Sequence, residues 1–383
     1  MREDWDIRLF KDVFDLQMGK TPDRKNFSLF EGDNTWVSIK DLDGKYISSS
    51  KECISDEAAK NIKLVKRGTV IMSFKLTVGK TAIAGKDLYT NEAIMAFNLR
   101  NGYDIDASFL YYYLKNYRWE GSNKAVMGIT LNKATISKHK IAIPPKPTQL
   151  SIVSELDKLN ELIRIKKEQL KDYDTLAQSI FYEMFGDPVE NEKGWEVKTF
   201  GEIGTLERGA GISKKDFVDD GLPCIHYGQL HTIFGAYTRN PITFIPKDLL
   251  PKYKIAHSGD LILAITSEDV EGSCKSTAWL GNFDVVVGSD AAIFHHNQNG
   301  IYLSYYTRTK AFYNEKAKYA KGFKVTHIST KEIASICICI PPISIQNTFA
   351  NKIEQIEKQK ANIQKIIMDL ETLLASRMQY WFD

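Results

Sequence analysis

Two tripeptides, Gly19-Lys20-Thr21 and Gly79-Lys80-Thr81, end as a phosphate-binding loop ends, with a glycine, a lysine for phosphate and a hydroxyl for magnesium. That loop also needs a glycine five residues before the first, so that the backbone can curl around the anion. Phe14 and Phe74 stand there instead, which argues against nucleotide hydrolysis. The tandem prolines Pro144-Pro145 and Pro341-Pro342 invite comparison with the Asn/Asp-Pro-Pro-aromatic signature of amino-methyltransferases. Ile143 and Ile340 occupy its polar position, so no side chain there can accept from an adenine amino group, and no Gly-rich turn for S-adenosylmethionine is evident. Asp187, Glu196 and Lys198 have the residue types of a metal-dependent nuclease, but Glu196 and Lys198 repeat Asp6 and Arg8, plain charges on a strand that opens a domain. Cys337 and Cys339 lack a second pair or a nearby His cluster for zinc and read as two buried thiols on one strand face. His295-His296 reads as an ordinary strand or turn pair, and no Ser/His/Asp arrangement stands out. The chain reads as a binder, with no catalytic residue, metal site or cofactor of its own.

What it binds follows from charge. The net charge is only +3, so an anionic partner must be met by local excess. Local excess is present. Between Ala58 and Lys86 there is no acid against Lys60, Lys63, Lys66, Arg67, Lys75, Lys80 and Lys86. Gly121–Ser154 is also acid-free, and from Lys310 to Lys331 six lysines face Glu315 alone. The candidate phosphate contacts are Lys20, Arg24, Lys66, Arg67, Lys75, Lys80, Lys124, Lys214, Lys275, Lys321 and Lys324. With 383 residues, 43% hydrophobic and 26% charged, the chain has globular values and room for two to three domains. Five scattered cysteines, an acidic N-terminus and no long apolar run point to a reduced, cytoplasmic protein without a membrane segment.

The elements that must position these residues are written twice. Trp5, Phe10, Val13, Leu16 and Gly19 recur 190 residues later as Trp195, Phe200, Ile203, Leu206 and Gly209. Gly68 recurs as Gly259, and the Tyr-rich stretch at Phe109 as the one at Tyr302. A strand, Pro-Pro, a Gln and a long helix close each half, with Pro144 and Gln149 recurring 197 residues later as Pro341 and Gln346. A period this long is a domain duplication. The fold class is α+β: two similar mixed α/β domains, each with strand-like alternation and one or two helices, and each followed by a helix of more than 30 residues. The two long helices carry narrow apolar stripes with polar remaining faces, as paired helices do. An antiparallel coiled coil is expected, with Leu156, Leu159, Ile163 and Leu170 against Ile353, Ile356, Ile363 and Ile366. The pairing makes the duplication pseudo-two-fold. The expected division is 1–145, a helix in 146–188, 189–342, and a second helix in 343–383.

Together, Trp5, the run LQMGKTP (Leu16–Pro22), Gly68-Thr-Val-Ile-Met-Ser, the strand-Pro-Pro-Gln-helix endings and FYEMFGDP (Phe181–Pro188), echoed as MQYWFD, resemble the specificity (S) subunit of Type I restriction–modification enzymes. ERGAGIS in the second half departs from the GKTP of the first. The resemblance covers essentially the whole chain. It implies two target recognition domains, each reading half of a bipartite double-stranded DNA site. It also implies a coiled coil that sets the gap and docks two methyltransferase (M) subunits, with restriction (R) subunits completing the complex. S-adenosylmethionine, magnesium and ATP are then expected only in those partners. The competing readings are a standalone DNA methyltransferase or nuclease, and a coiled-coil adaptor without a DNA role.

Overall fold

The alternating run after each tryptophan forms a strand, and its partner is the strand that ends at each Pro-Pro. In the computed structural model, Asp6–Leu9 runs antiparallel to Lys140–Ile143, and Glu196–Thr199 runs antiparallel to Cys337–Ile340. Residues 5–119, 124–125, 128–129, 131–212, 214–247, 253–320 and 326–383 are described, the two short pairs by their backbone only. Proline has no N–H to offer a ladder, so the strands stop there and the helices begin. The chain divides into two units, Met1–Lys167 with Lys365–Asp383, and Glu168–Gln364.

The first unit holds a five-stranded sheet in the order Phe14–Met18, Ile94–Leu99, Val70–Ser73, Thr81–Ala84, Tyr46–Ile47, the last pair parallel. A three-stranded sheet beside it runs Glu52–Ile54, Asn34–Val37, Tyr89–Thr90. The second unit repeats the five-stranded order with Gly204–Arg208, Ala291–His296, Leu261–Ala264, Ser276–Trp279 and Tyr237–Thr238, again ending in a parallel pair. Its smaller sheet has four strands: Thr243–Ile245, Leu222–Ile225, Val285–Val287, Lys254–Ala256. At one end of the two large sheets the chain turns through Gly68 and Gly259, at φ +85° and +103°, values that glycine adopts without strain. At the other end Gly19 and Gly209 allow close backbone approach. A Cβ would sit 2.1 Å from the Thr90 carbonyl oxygen at Gly19 and 2.2 Å from that of Gly288 at Gly209. Gly19 is thus a packing glycine.

The Tyr-rich stretches are helices Ala107–Asn116 and Gly300–Tyr306, capped by Asp106 and Asn299. Each cap is tied to a long helix by the repeated glutamine. Gln149 accepts from the Asp106 N–H at 2.8 Å and donates to the carbonyls of Pro144 and Asp104 at 2.9 and 3.1 Å. Gln346 accepts from the Asn299 N–H at 3.0 Å and donates to the Pro341 carbonyl at 2.8 Å. Both glutamines are at most 1% exposed, so their polar ends are satisfied where water cannot reach.

The long helices are Lys146–Phe185 and Ile343–Phe382, each of 40 residues and so about 60 Å long. Within the first unit they run antiparallel: Glu155 pairs with Arg377 and accepts from Trp381 Nε1, and Lys167 meets Glu371 at 2.7 Å. Ile152 and Leu156 share a core with Leu374, Met378, Trp381 and Phe382. Within the second unit the same sense holds, with Lys360 2.8 Å from Asp174 and Phe185 packed on Phe349. Ile353 and Ile356 there share a core with Ala177, Phe181 and Phe185. The expected opposition of Leu156 to the Ile353–Ile366 segment is therefore corrected: the ion pairs set a register in which Leu156 faces the last turns of the second helix. Ile366 is corrected as well. It is 41% exposed, and Ile367 at 4% takes the stripe position, because the spacing Ile356, Lys360, Ile363, Ile367 keeps one face and Ile366 lies about 100° round the helix. Leu159 and Ile163 are buried and Leu170 half-buried. Cys339 is buried, but Cys337 is exposed at the start of its two-stranded sheet, so the expected buried thiol pair is a single buried thiol.

Candidate nucleic-acid interface

The sheet end opposite the Gly68 turn is where loops and lysines of the first unit converge. Backbone N–H groups of Gly19, Lys20 and Phe74 donate to the carbonyls of Ile94, Thr90 and Ala93, and that of Leu131 donates to Phe74. Lys20, Lys75 and Lys80 are brought together at this end, with Lys133 two residues beyond Leu131. The Phe74–Gly79 loop is fastened by Ser73, which is fully buried: its Oγ donates to the Thr77 carbonyl and accepts from the Lys80 N–H. At the tip Leu76 has φ +62° and is 64% exposed. A left-handed backbone costs a residue other than glycine about 1–2 kcal/mol.

The second unit builds the same end from different residues. Gly209, Ile265 and Ile328 donate backbone bonds to Ala291, Asp290 and Ile265, matching those of Gly19, Phe74 and Leu131. The Ser73 N–H donates to the Lys80 carbonyl at 2.8 Å, and the Ala264 N–H to the Lys275 carbonyl at 2.9 Å. Lys80 and Lys275 thus hold equivalent positions. Around Lys275 stand Arg208, His231, Thr266, Asp290 and His327, none of them singled out from the sequence. Arg208 donates to the Ser289 carbonyl at 2.7 Å and lies 3.7 Å from Asp290, while His327 Nδ1 is 3.3 Å from Thr266 Oγ1. Arg208 directly precedes Gly209, so the repeated glycine was the signal that could have located it. Lys275 itself donates to the His231 carbonyl at 2.7 Å and is half-buried. The longer loop here rests on Lys316, which is 3% exposed and donates to the carbonyls of Glu271 and Ser273 at 2.9 and 2.6 Å. Burial holds its pKa below the ordinary lysine value.

The remaining sequence candidates are dispersed. Lys66 and Arg67 adjoin the Gly68 turn, at the opposite sheet end from Lys80, and both engage Asp87: the Lys66 ammonium at 2.8 Å and the Arg67 N–H at 2.8 Å. Arg24 is clamped by both oxygens of Glu52 and lies 4.5 Å over the Phe30 ring and 5.0 Å over Trp36, so its guanidinium already has partners. Lys214 is exposed near His226, whose pKa is lowered by burial and then by the Lys214 charge. Lys321 and Lys324 lie outside the described residues, as does the side chain of Lys124. Among the described residues no group of three or more His, Cys, Asp or Glu is placed to hold a metal ion, and no helix is long and apolar enough to cross a membrane. Cations at a sheet end, exposed at Lys20 and Lys80 and half-buried at Lys75 and Lys275, with loops beside them, can hold a polyanion and present side chains to it.

Comparison with known proteins agrees with this duplicated layout. A family model described as "Type I restriction modification DNA specificity domain" matches residues 2–172 and again 192–372. The chain is 24% identical to the Type I restriction enzyme MjaIX specificity subunit of Methanocaldococcus jannaschii, over 97% of this chain and 91% of that one. Its fold is similar to a chain solved in work on complex assembly and conformational transition of the type I R-M system, with TM-score 0.64, 17% identity, and 100% and 98% of the two chains covered. It is also similar to the Type-I restriction-modification system S subunit from M. genitalium, with TM-score 0.53, 13% identity, and 99% and 96% covered.

Proposed function

The chain belongs to the Type I restriction modification DNA specificity domain family, and on that premise we propose that it is the specificity subunit of a Type I restriction–modification complex. Each unit reads one half of a bipartite site in double-stranded DNA. The helix pair fixes the unread gap and docks two methyltransferase subunits, and restriction subunits join in the full assembly. The chain itself is non-catalytic. S-adenosylmethionine, magnesium and ATP serve the partner subunits, and the complex works in the cytoplasm. One observation supports this reading above the rest: Lys80 and Lys275 occupy equivalent positions at the same sheet end of two repeated units, the arrangement that two half-sites require.

Incubating the purified chain with duplex DNA, S-adenosylmethionine and magnesium tests it. The proposal expects salt-dependent retention of DNA with no methylation or cleavage. Turnover abolished by a point change in this chain would make it an enzyme, and absence of retention would leave an adaptor.

A further inference from the structure

We propose that Leu76 reads the 5-methyl group of a thymine in the half-site bound by the first unit, while Lys75 and Lys80 hold flanking phosphates. The proposal rests on the reading of the chain as a DNA specificity subunit and names the base chemistry of that site.

Leu76 combines two features that the free chain does not reward. It is 64% exposed, and its φ of +62° lies in the region that a branched side chain avoids. An exposed leucine recovers nothing from burial, and left-handed backbone at a residue other than glycine persists only where the surroundings impose it. The surroundings do impose it. Ser73 is fully buried and ties its hydroxyl to Thr77 and Lys80, and the Gly79 N–H closes the loop on the Ser73 carbonyl at 3.0 Å. The loop is a held tip.

The neighbours decide what the tip meets. Lys75 and Lys80 carry no ion pair among the described residues, whereas Lys66 at the far sheet end is bound to Asp87. Lys80 is exposed, and Lys75 is half-buried with its ammonium 5.4 Å from the centroid of the Phe74 ring. Two cations without a carboxylate partner on one loop with an exposed apolar side chain suit a groove lined by phosphates. A β-ribbon enters the major groove, and the one apolar group a base offers there is the thymine C5-methyl. Leucine has no polar atom, so its discrimination is for that methyl. The equivalent loop of the second unit is longer and carries Glu268, Asp269 and Glu271 in place of an exposed leucine, as fits readers of unlike half-sites.

The experiment uses the full chain with its methyltransferase partner, as wild type, Leu76→Gly and Lys80→Ala. Selection from a random duplex library defines the site, and each thymine of the first half-site is then replaced by uracil, which lacks only the methyl. The expected result is one position where uracil weakens wild-type binding about fourfold, with Leu76→Gly binding thymine and uracil there equally. The second half-site is unchanged, and the thermal midpoint of Leu76→Gly is equal or higher because glycine relieves the positive φ. A first half-site without a uracil-sensitive position, or a Leu76→Gly protein that still prefers thymine, overturns the role of Leu76. If Lys80→Ala then still weakens binding to every sequence, DNA binding by this unit stands. If no version retains duplex DNA, the specificity-subunit reading fails along with it.

Discussion

Gln149 Oε1 accepts the backbone N–H of Asp106 at 2.8 Å, joining the first turn of a 40-residue helix to the N-cap of the Tyr-rich helix. Gln346 and Asn299 repeat the bond at 3.0 Å in the second unit. These bonds explain why a glutamine follows each Pro-Pro at the same distance. It fastens the long helix to the domain it leaves.

Gln149→Met keeps the side-chain length and removes both hydrogen-bonding ends, leaving the Asp106 N–H and the Pro144 and Asp104 carbonyls without their partner. The expected loss of stability is about 3 kcal/mol, read by urea unfolding of the full chain. A loss below about 1 kcal/mol would mean that water or a shifted side chain replaces these bonds.

The helix stripe separates two adjacent isoleucines. Ile367→Ala is expected to cost about 2–5 kcal/mol, and Ile366→Ala under about 0.5 kcal/mol. Equal costs would contradict the register described for the first unit.

His296 is half-buried with its Nε2 shielded from solvent, its Nδ1 accepts the Gln298 N–H at 3.2 Å, and desolvation pushes its pKa down to about 4. Its folded value lies below the ordinary histidine value. As pH falls from about 6.5 toward 4, the unfolded chain therefore takes up the proton first and stability declines. The decline assigned to His296 is about 2 kcal/mol between pH 7 and pH 5. His296→Gln should lack this component in paired denaturation curves at the two pH values, and an identical pH dependence in both proteins would contradict it. His257 acts in the opposite sense: its hydrogen bond to Asp284 raises its pKa, and its contribution fades as pH rises. The difference between wild type and variant is therefore the relevant quantity.

Lys80 and Lys66 share an acid-free stretch but not a role. Lys80→Ala should lower the salt slope of DNA binding by roughly 0.9. Lys66→Ala should leave it unchanged, because that ammonium is paired with Asp87 at the other sheet end. The slopes come from retention measured over a range of salt concentrations, and a reversed order would move the interface to the Gly68 end.

Much of this architecture was legible in the sequence. The constant offsets of Trp5, Gly68 and Gln149 give the duplication, and the apolar stripes give the long helices. What stayed hidden depends on pairing between distant segments. Ile366 and Ile367 are equally apolar, and only the partner helix distinguishes them. Asp87 lies just outside the run of cations, yet folding returns it to the Lys66 ammonium and to the backbone N–H of Arg67. Glu52 does the same to Arg24, so a count of local charge overstates the free cations. His231 and His327 come from separate segments and share no local pattern, and only the repeated glycine after it marks Arg208. Cys337 and Cys339 alternate as one strand face should, but a two-stranded sheet leaves the first of them uncovered.

The central claim is that each unit reads its own half-site. The most direct test replaces residues 1–145 with the equivalent part of a relative, co-expresses the hybrid with its methyltransferase subunit, and maps methylated adenines across the genome. The account predicts a motif with one half changed and the other half and the gap preserved. A motif altered in both halves, or in neither, would contradict it.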